Sequence, residues 1–150
     1  MKYYFEDPGK QKELKGVLES WLGTPFRHWS GVKGLGCDCI HFVTGVMAEM
    51  GIVPEGGYKI QRYARDWHIH SGEEMLLEGV RKQLNAEEVP LSTPMNGDIF
   101  LFQFGRACSH AGIYYDDHIY QAINNIGARK LHFLDRQWHK RKRYNFRLKT

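Results

Sequence analysis

The chain has 150 residues, 42% hydrophobic and 25% charged, a balance that excludes wholesale disorder and suits one domain spanning 1–150. No run of 18 apolar residues occurs, which excludes a membrane-spanning helix. Charge is uneven: residues 129–150 hold nine Lys or Arg against Asp135 alone, so this end is strongly basic although the formal total is only +4.

The opening MKYYFEDPGKQKELKG carries acids and lacks the apolar run of a secretory signal, so synthesis in the cytoplasm without a signal peptide is expected. Leu14, Val17, Leu18 and Trp21 recur at i, i+3, i+4, i+7. That spacing predicts one face of an amphipathic helix, closed by Gly23 and Pro25. A polar, Gly-rich loop follows at 24–38. Asp38 is then placed to cap a second helix, with Gly51 just past its end. Val43, Val46, Met47 and Met50 form its apolar face, and one turn back from Val43 lies Cys39, on the inward side of the first turn. Residues 57–85 read as a partly helical insert, and an aromatic and charged stretch in it (Tyr63, Arg65, Trp67) could cover a cleft. From Gly97 the texture turns to strands, at 98–104, 110–115 and 118–123, with weaker ones at 129–134 and 144–148. Asp116-Asp117 suits a two-residue hairpin turn. Helices first and an antiparallel sheet afterwards is the α+β pattern.

Three cysteines leave at least one free thiol. A thiol attacks as thiolate, and a helix N-terminus favours negative charge, so its seat should lower the pKa of Cys39. A histidine can take the proton and return it to a leaving amine. If residues 116–117 form the turn, 115 pairs with 118, and His110 lies diagonal to Gln121 on the same face. Gln121 could then accept from the imidazole and fix its tautomer. His28 and His41 have no pattern behind them. Metal is the structural rival: Cys37, Cys39, Cys108 and His110 could supply a Cys3His zinc set, although C-x-C opening a helix chelates poorly. Cys37 and Cys108, each two residues before a candidate catalytic residue, could instead pair. The basic end offers a surface for an anionic polymer or an acidic partner, or simply a solvated strand. No aromatic or helix-turn-helix signal points to nucleic acid.

The segment WLGTPFRHWSGVKGLGCDCIHFVTGVMAEM, followed in order by YARDW, GDIFLF, SHAGIY and IYQA, resembles the NlpC-type family of cell-wall cysteine peptidases. It is most similar to the branch found in phage tail modules. The resemblance implies a papain-like α+β fold with N-terminal helices packed on a C-terminal antiparallel sheet. It implies Cys39 as nucleophile, His110 as base and Gln121 as the third catalytic residue, with Phe26, Asp38 and Ser109 at the substrate. The implied reaction is hydrolysis of an amide in peptidoglycan stem peptides, between γ-D-glutamyl and a diamino acid, with no metal or cofactor. The implied partners are the peptidoglycan peptide and phage tail proteins, with no membrane, and the implied place of action is a virion that delivers the protein to the cell wall. The chain departs from the family pattern in three places: Ile40-His41-Phe42 for the usual S-G-L, Gln121 for the usual His, and Phe26 for the usual Tyr. A binding or assembly module that keeps the fold without turnover is the alternative.

Overall fold

Asp7 and Pro8 set where the first helix begins. The Asp7 carboxylate accepts from the Gly9 N–H at 2.8 Å, and Pro8 occupies the first turn, where its missing N–H costs nothing. The computed structural model describes residues 1–64, 67–70 and 72–150. After a single turn at Tyr4–Glu6 come α1 (Pro8–Trp21), β1 (Gly31–Val32), β2 (Gly36–Cys37), α2 (Cys39–Glu49), α3 (Trp67–His70) and α4 (Met75–Gln83). They are followed by β3 (Ala86–Val89), β4 (Ile99–Phe104), β5 (Ala107–Tyr115), β6 (His118–Ile123), β7 (Gly127–His132), α5 (Arg136–His139) and β8 (Lys142–Leu148).

Six strands make one antiparallel sheet in the order β3-β8-β4-β5-β6-β7, and β1 and β2 form a separate small pair. Helices α1, α2 and α4 lie against the face that carries Ile99, Leu101, Ile113 and Tyr120, where Leu14, Leu18, Phe42, Val46 and Met47 complete the main core. The opposite face holds a second apolar cluster, Phe100, Phe102, Tyr114 and Ile119, with Phe104, Phe133 and Trp138 packed on it. Burial on both faces is why β4 reads IFLF without alternation. In α2 Gly45 lies beneath the Trp21 ring, where a Cβ would come within 2.7 Å of the indole, so α1 and α2 approach more closely than any side chain would allow.

The buried Asp98 ties the sheet together. Its carboxylate accepts from Arg147 Nε at 2.9 Å and Nη2 at 2.8 Å, from Asn145 Nδ2 at 3.0 Å and from the Met95 N–H at 2.9 Å. A bidentate, fully bonded pair of this kind links the start of β4 to β8.

The α+β arrangement follows the sequence reading. The hairpin also pairs as expected, Tyr115 with His118, through a turn in which Asp116 and Asp117 both have positive φ (46° and 62°). Some boundaries differ: β5 starts at Ala107 rather than 110, β7 occupies Gly127–His132, and β8 begins at Lys142. Some elements gave no sequence signal: β3 carries two acids in four residues at the sheet edge, α5 is a single turn, and β1 and β2 are two-residue strands inside the 24–38 loop. Arg65, one of the residues expected over the cleft, lies outside the described residues. Among the described residues no helix is long and apolar enough to cross a membrane.

Candidate active site

Cys39 is the first residue of α2, and Asp38 is its N-cap, accepting from the His41 N–H at 2.8 Å. The thiol points inward and is 8% exposed. Where it lands is decided by the sheet. β5 and β6 pair only at three positions, from Tyr115↔His118 to Ile113↔Tyr120. Beyond Ile113 the ladder between the two strands ends. The head of α2 enters this split: the Cys39 thiol donates to the Ser109 carbonyl at 3.6 Å, and the Ala111 N–H faces the sulfur. The thiol is therefore seated against the backbone on both sides of His110.

His110 and Gln121 meet as the hairpin register predicts. His110 Nε2–H donates to Gln121 Oε1 at 2.7 Å, leaving Nδ1 as the ring's basic nitrogen. Gly112 makes this contact possible. It lies beside His110 on the same face and opposite Gln121, and a Cβ there would come within 2.5 Å of the Ile119 side chain and 3.3 Å of the Gln121 Cβ. Gln121 is fully buried and its Nε2 has no hydrogen-bond partner among the described residues, a cost of about 1–3 kcal/mol. Trp138 of α5 lies across the imidazole with ring centroids 4.7 Å apart, and Phe102 meets the same ring edge-on at 5.5 Å.

Asp38 does more than cap. One carboxylate oxygen accepts from the His41 N–H and faces His41 Nδ1 at 2.8 Å. The other accepts from the Trp29 N–H and from the Tyr63 hydroxyl, each at 2.8 Å. It thus joins the head of α2 to the 24–38 loop and to the insert. Trp29 packs edge-on against both His41 (4.9 Å) and Tyr63 (5.2 Å). Phe26 is half-buried against the main core, and its backbone bridges Cys37. Ser109 enters through its carbonyl. His41, Trp29 and Trp138 were missed by the sequence reading. His41 three residues after an N-cap aspartate was the one available signal.

The zinc alternative does not assemble: among the described residues no three of His, Cys, Asp or Glu stand close enough to hold a metal ion. Cys37, Cys39 and Cys108 are all free thiols, so the suggested Cys37–Cys108 pairing is not formed.

Residues 23–143 match the NlpC/P60 family. The chain belongs to the NlpC/P60 family. A search of the curated proteins finds no match. Among solved structures, the chain resembles a Staphylococcus aureus NLP/P60 protein described as similar to lipoprotein, with a TM-score of 0.66 and 17% identity over 95% of this chain. It spans only 42% of that protein's length. It also resembles the NlpC/p60 domain of the peptidoglycan hydrolase SagA, with a TM-score of 0.60 and 14% identity over 90% of this chain and 96% of that one. NlpC2 from Trichomonas vaginalis matches with a TM-score of 0.62 and 14% identity, over 94% of this chain and 48% of that one. These likenesses establish the papain-like NlpC/P60 fold.

The electrostatics of this NlpC/P60 site correct one expectation. The N–H groups of Cys39, Ile40 and Ala111 do favour the thiolate, but burial, aided by the Asp38 charge, outweighs them and pushes the Cys39 thiol up to about 12. Burial also lowers His110 to about 4, against the smaller opposing effect of the Gln121 hydrogen bond. The resting pair is therefore thiol and neutral imidazole. Tyr63 is raised, first by burial and then by the nearby Asp38 and Cys39. An apolar cavity of about 240 Å³ lies behind the head of α2, between Ile40, Val43, Tyr63, Leu76, Val80 and Ala111.

Two expected outcomes follow from His110. Its folded pKa, about 4, lies below its ordinary 6.5. The unfolded chain therefore takes up this proton first, and the stability present above pH 6.5 is lost as pH falls towards 4. Its share is about 3 kcal/mol. Urea unfolding between pH 7.5 and pH 4 should show the wild type losing that much more than His110→Gln. Replacing Gln121 by Glu puts a carboxylate on Nε2, favours imidazolium, and should move the acidic limb of a kcat/KM profile up by ~1 unit or more. An unmoved limb would mean that His110 is not the titrating base.

Proposed function

We propose that this NlpC/P60 protein is a cysteine peptidase that hydrolyses amide bonds in peptidoglycan stem peptides, at the link between γ-D-glutamyl and a diamino acid. The observation that carries the reading is the thiol of Cys39 held at a helix head in the split between β5 and β6, against the strand that presents His110 to Gln121. Family membership supports the hydrolytic class, and the SagA domain, a peptidoglycan hydrolase, shares the fold.

In this mechanism Cys39 Sγ attacks the substrate carbonyl carbon while its proton passes to His110 Nδ1. Because burial penalises either charge alone, proton transfer and attack proceed together instead of through a standing thiolate. The N–H groups that face the sulfur, those of Cys39, Ile40 and Ala111, are the donors near which the tetrahedral oxyanion forms. His110 then gives its proton to the departing amine, leaving an acyl thioester on Cys39. Water, deprotonated by His110, cleaves the thioester and restores the thiol. Gln121 and Trp138 hold the imidazole in place throughout; Asp38 fixes the helix that carries the sulfur. Cys39, His110 and Gln121 are the catalytic set in this reading, with Asp38 and Ser109 shaping the substrate side.

Phage tail modules, reached through a virion that delivers the protein to the wall, are the proposed setting, on the sequence motifs alone. The second reading, a tail or wall module without turnover, draws on the 8% exposure of Cys39. Digestion of purified stem peptides, followed by mass spectrometry, separates the two. The peptidase yields fragments cut at the γ-glutamyl–diamino acid bond; intact peptides after prolonged incubation would contradict it.

A further inference from the structure

The leaving half of the substrate has a fixed direction in any thiol–imidazole reaction. The attacked carbon lies over the sulfur, and the leaving nitrogen must face the imidazole that protonates it. Whatever follows that nitrogen therefore runs past His110. What borders His110 there is the α5 turn. Trp138 covers the ring at 4.7 Å, Phe104 meets Trp138 edge-on at 5.2 Å, and the Arg141 guanidinium lies over Phe104 at 4.9 Å. Arg136 and Lys140 are exposed on the same turn. Among the described residues no carboxylate ion-pairs with Arg136, Lys140 or Arg141. By contrast, the cations Lys2, Lys33, Lys130 and Arg147 all have acidic partners. The turn is held rigidly: buried Lys142 donates to the Phe133 carbonyl at 2.6 Å and to His139 Nδ1 at 2.8 Å, and its ammonium lies over the Phe133 ring.

We propose that Trp138 and Arg141 form the wall that binds the leaving-amine half of the substrate and select a diamino acid bearing a free distal carboxylate. This rests on the peptidase reading above and narrows it. Trp138 offers a flat apolar platform to the methylene chain of the diamino acid. Arg141, already stacked on Phe104 and with no acid beside it among the described residues, offers the planar fork that suits a carboxylate. A diamino acid without that second carboxylate, or with it amidated, leaves the guanidinium unanswered.

The test uses two γ-D-glutamyl–diaminopimelate peptides that differ only in the distal group, carboxylate or carboxamide. Wild type is expected to favour the carboxylate by ~10- to 100-fold in kcat/KM. Arg141→Gln is expected to bring that preference below about threefold, and Arg141→Lys to restore part of it. The same preference in wild type and Arg141→Gln would overturn the proposal. Binding of both peptides to Cys39→Ala, by calorimetry, gives a readout that needs no turnover. If wild type cleaves neither peptide, the peptidase reading fails, and the wall stands only if the carboxylate peptide still binds at least tenfold tighter in an Arg141-dependent way. Equal binding of the two, or binding of neither, overturns it.

Discussion

Replacing Cys39 by Ala is expected to abolish amide hydrolysis, a loss of at least ~10⁴-fold in kcat, while leaving the protein folded. The side chain is small, and its hydrogen bond to the Ser109 carbonyl is a long contact from sulfur. Its removal leaves α2 capped by Asp38 and the core behind it intact. Stem-peptide digestion read by mass spectrometry, beside a urea unfolding curve, checks both halves. Cys39→Ser is the sharper control. A hydroxyl keeps the shape but ionises far less readily than a thiol, so this variant should fold like wild type and lose most of its turnover. Persistent cleavage by Cys39→Ala would place the nucleophile elsewhere.

The second large effect is expected at Asp38. The Asp38→Ala change strands the His41 N–H, the His41 ring, the Trp29 N–H and the Tyr63 hydroxyl at once, in a place only 2% exposed. Removing one side of so fully bonded a buried carboxylate should destabilise the fold by about 3–5 kcal/mol. Activity should fall by ~100-fold or more even at temperatures where the protein stays folded, because the head of α2 and the sulfur it carries lose their anchor. Tyr63→Phe removes only one of the four contacts and should cost about 1 kcal/mol. Chemical denaturation and stem-peptide turnover on the two variants distinguish this hub from a simple helix cap, for which the two substitutions would differ little.

How far the sequence revealed this site depended on how local each contact was. Cys39 at the head of α2 follows from an aspartate cap and a 3.6-residue apolar pattern, both short-range signals. The His110–Gln121 contact was legible because a two-residue turn at Asp116-Asp117 sets the register of everything beyond it. The direction of the Cys39 pKa was misjudged because a helix N-terminus can be read from sequence, whereas burial in a split between two strands cannot. Trp138 gave no signal at all: it lies on a four-residue turn, 28 positions from the histidine it covers, and its neighbours read as a solvated basic tail. His41 looked patternless because its partner's role as an acceptor for four donors appears only when the loop and the insert close on Asp38. Strand β4 was legible as a strand but not as one buried on both faces.

The central claim is that the Cys39 thiol reacts through proton transfer to His110. Iodoacetamide labelling of the native protein, mapped to individual cysteines by peptide mass spectrometry, tests it most directly. All three cysteines are buried, so access alone does not single one out. Cys39 should be alkylated while Cys37 and Cys108 stay protected, and His110→Gln should slow the reaction at Cys39 by at least ~10-fold without unmasking the other two. Equal labelling of the three thiols, or a Cys39 rate indifferent to His110, would contradict the account.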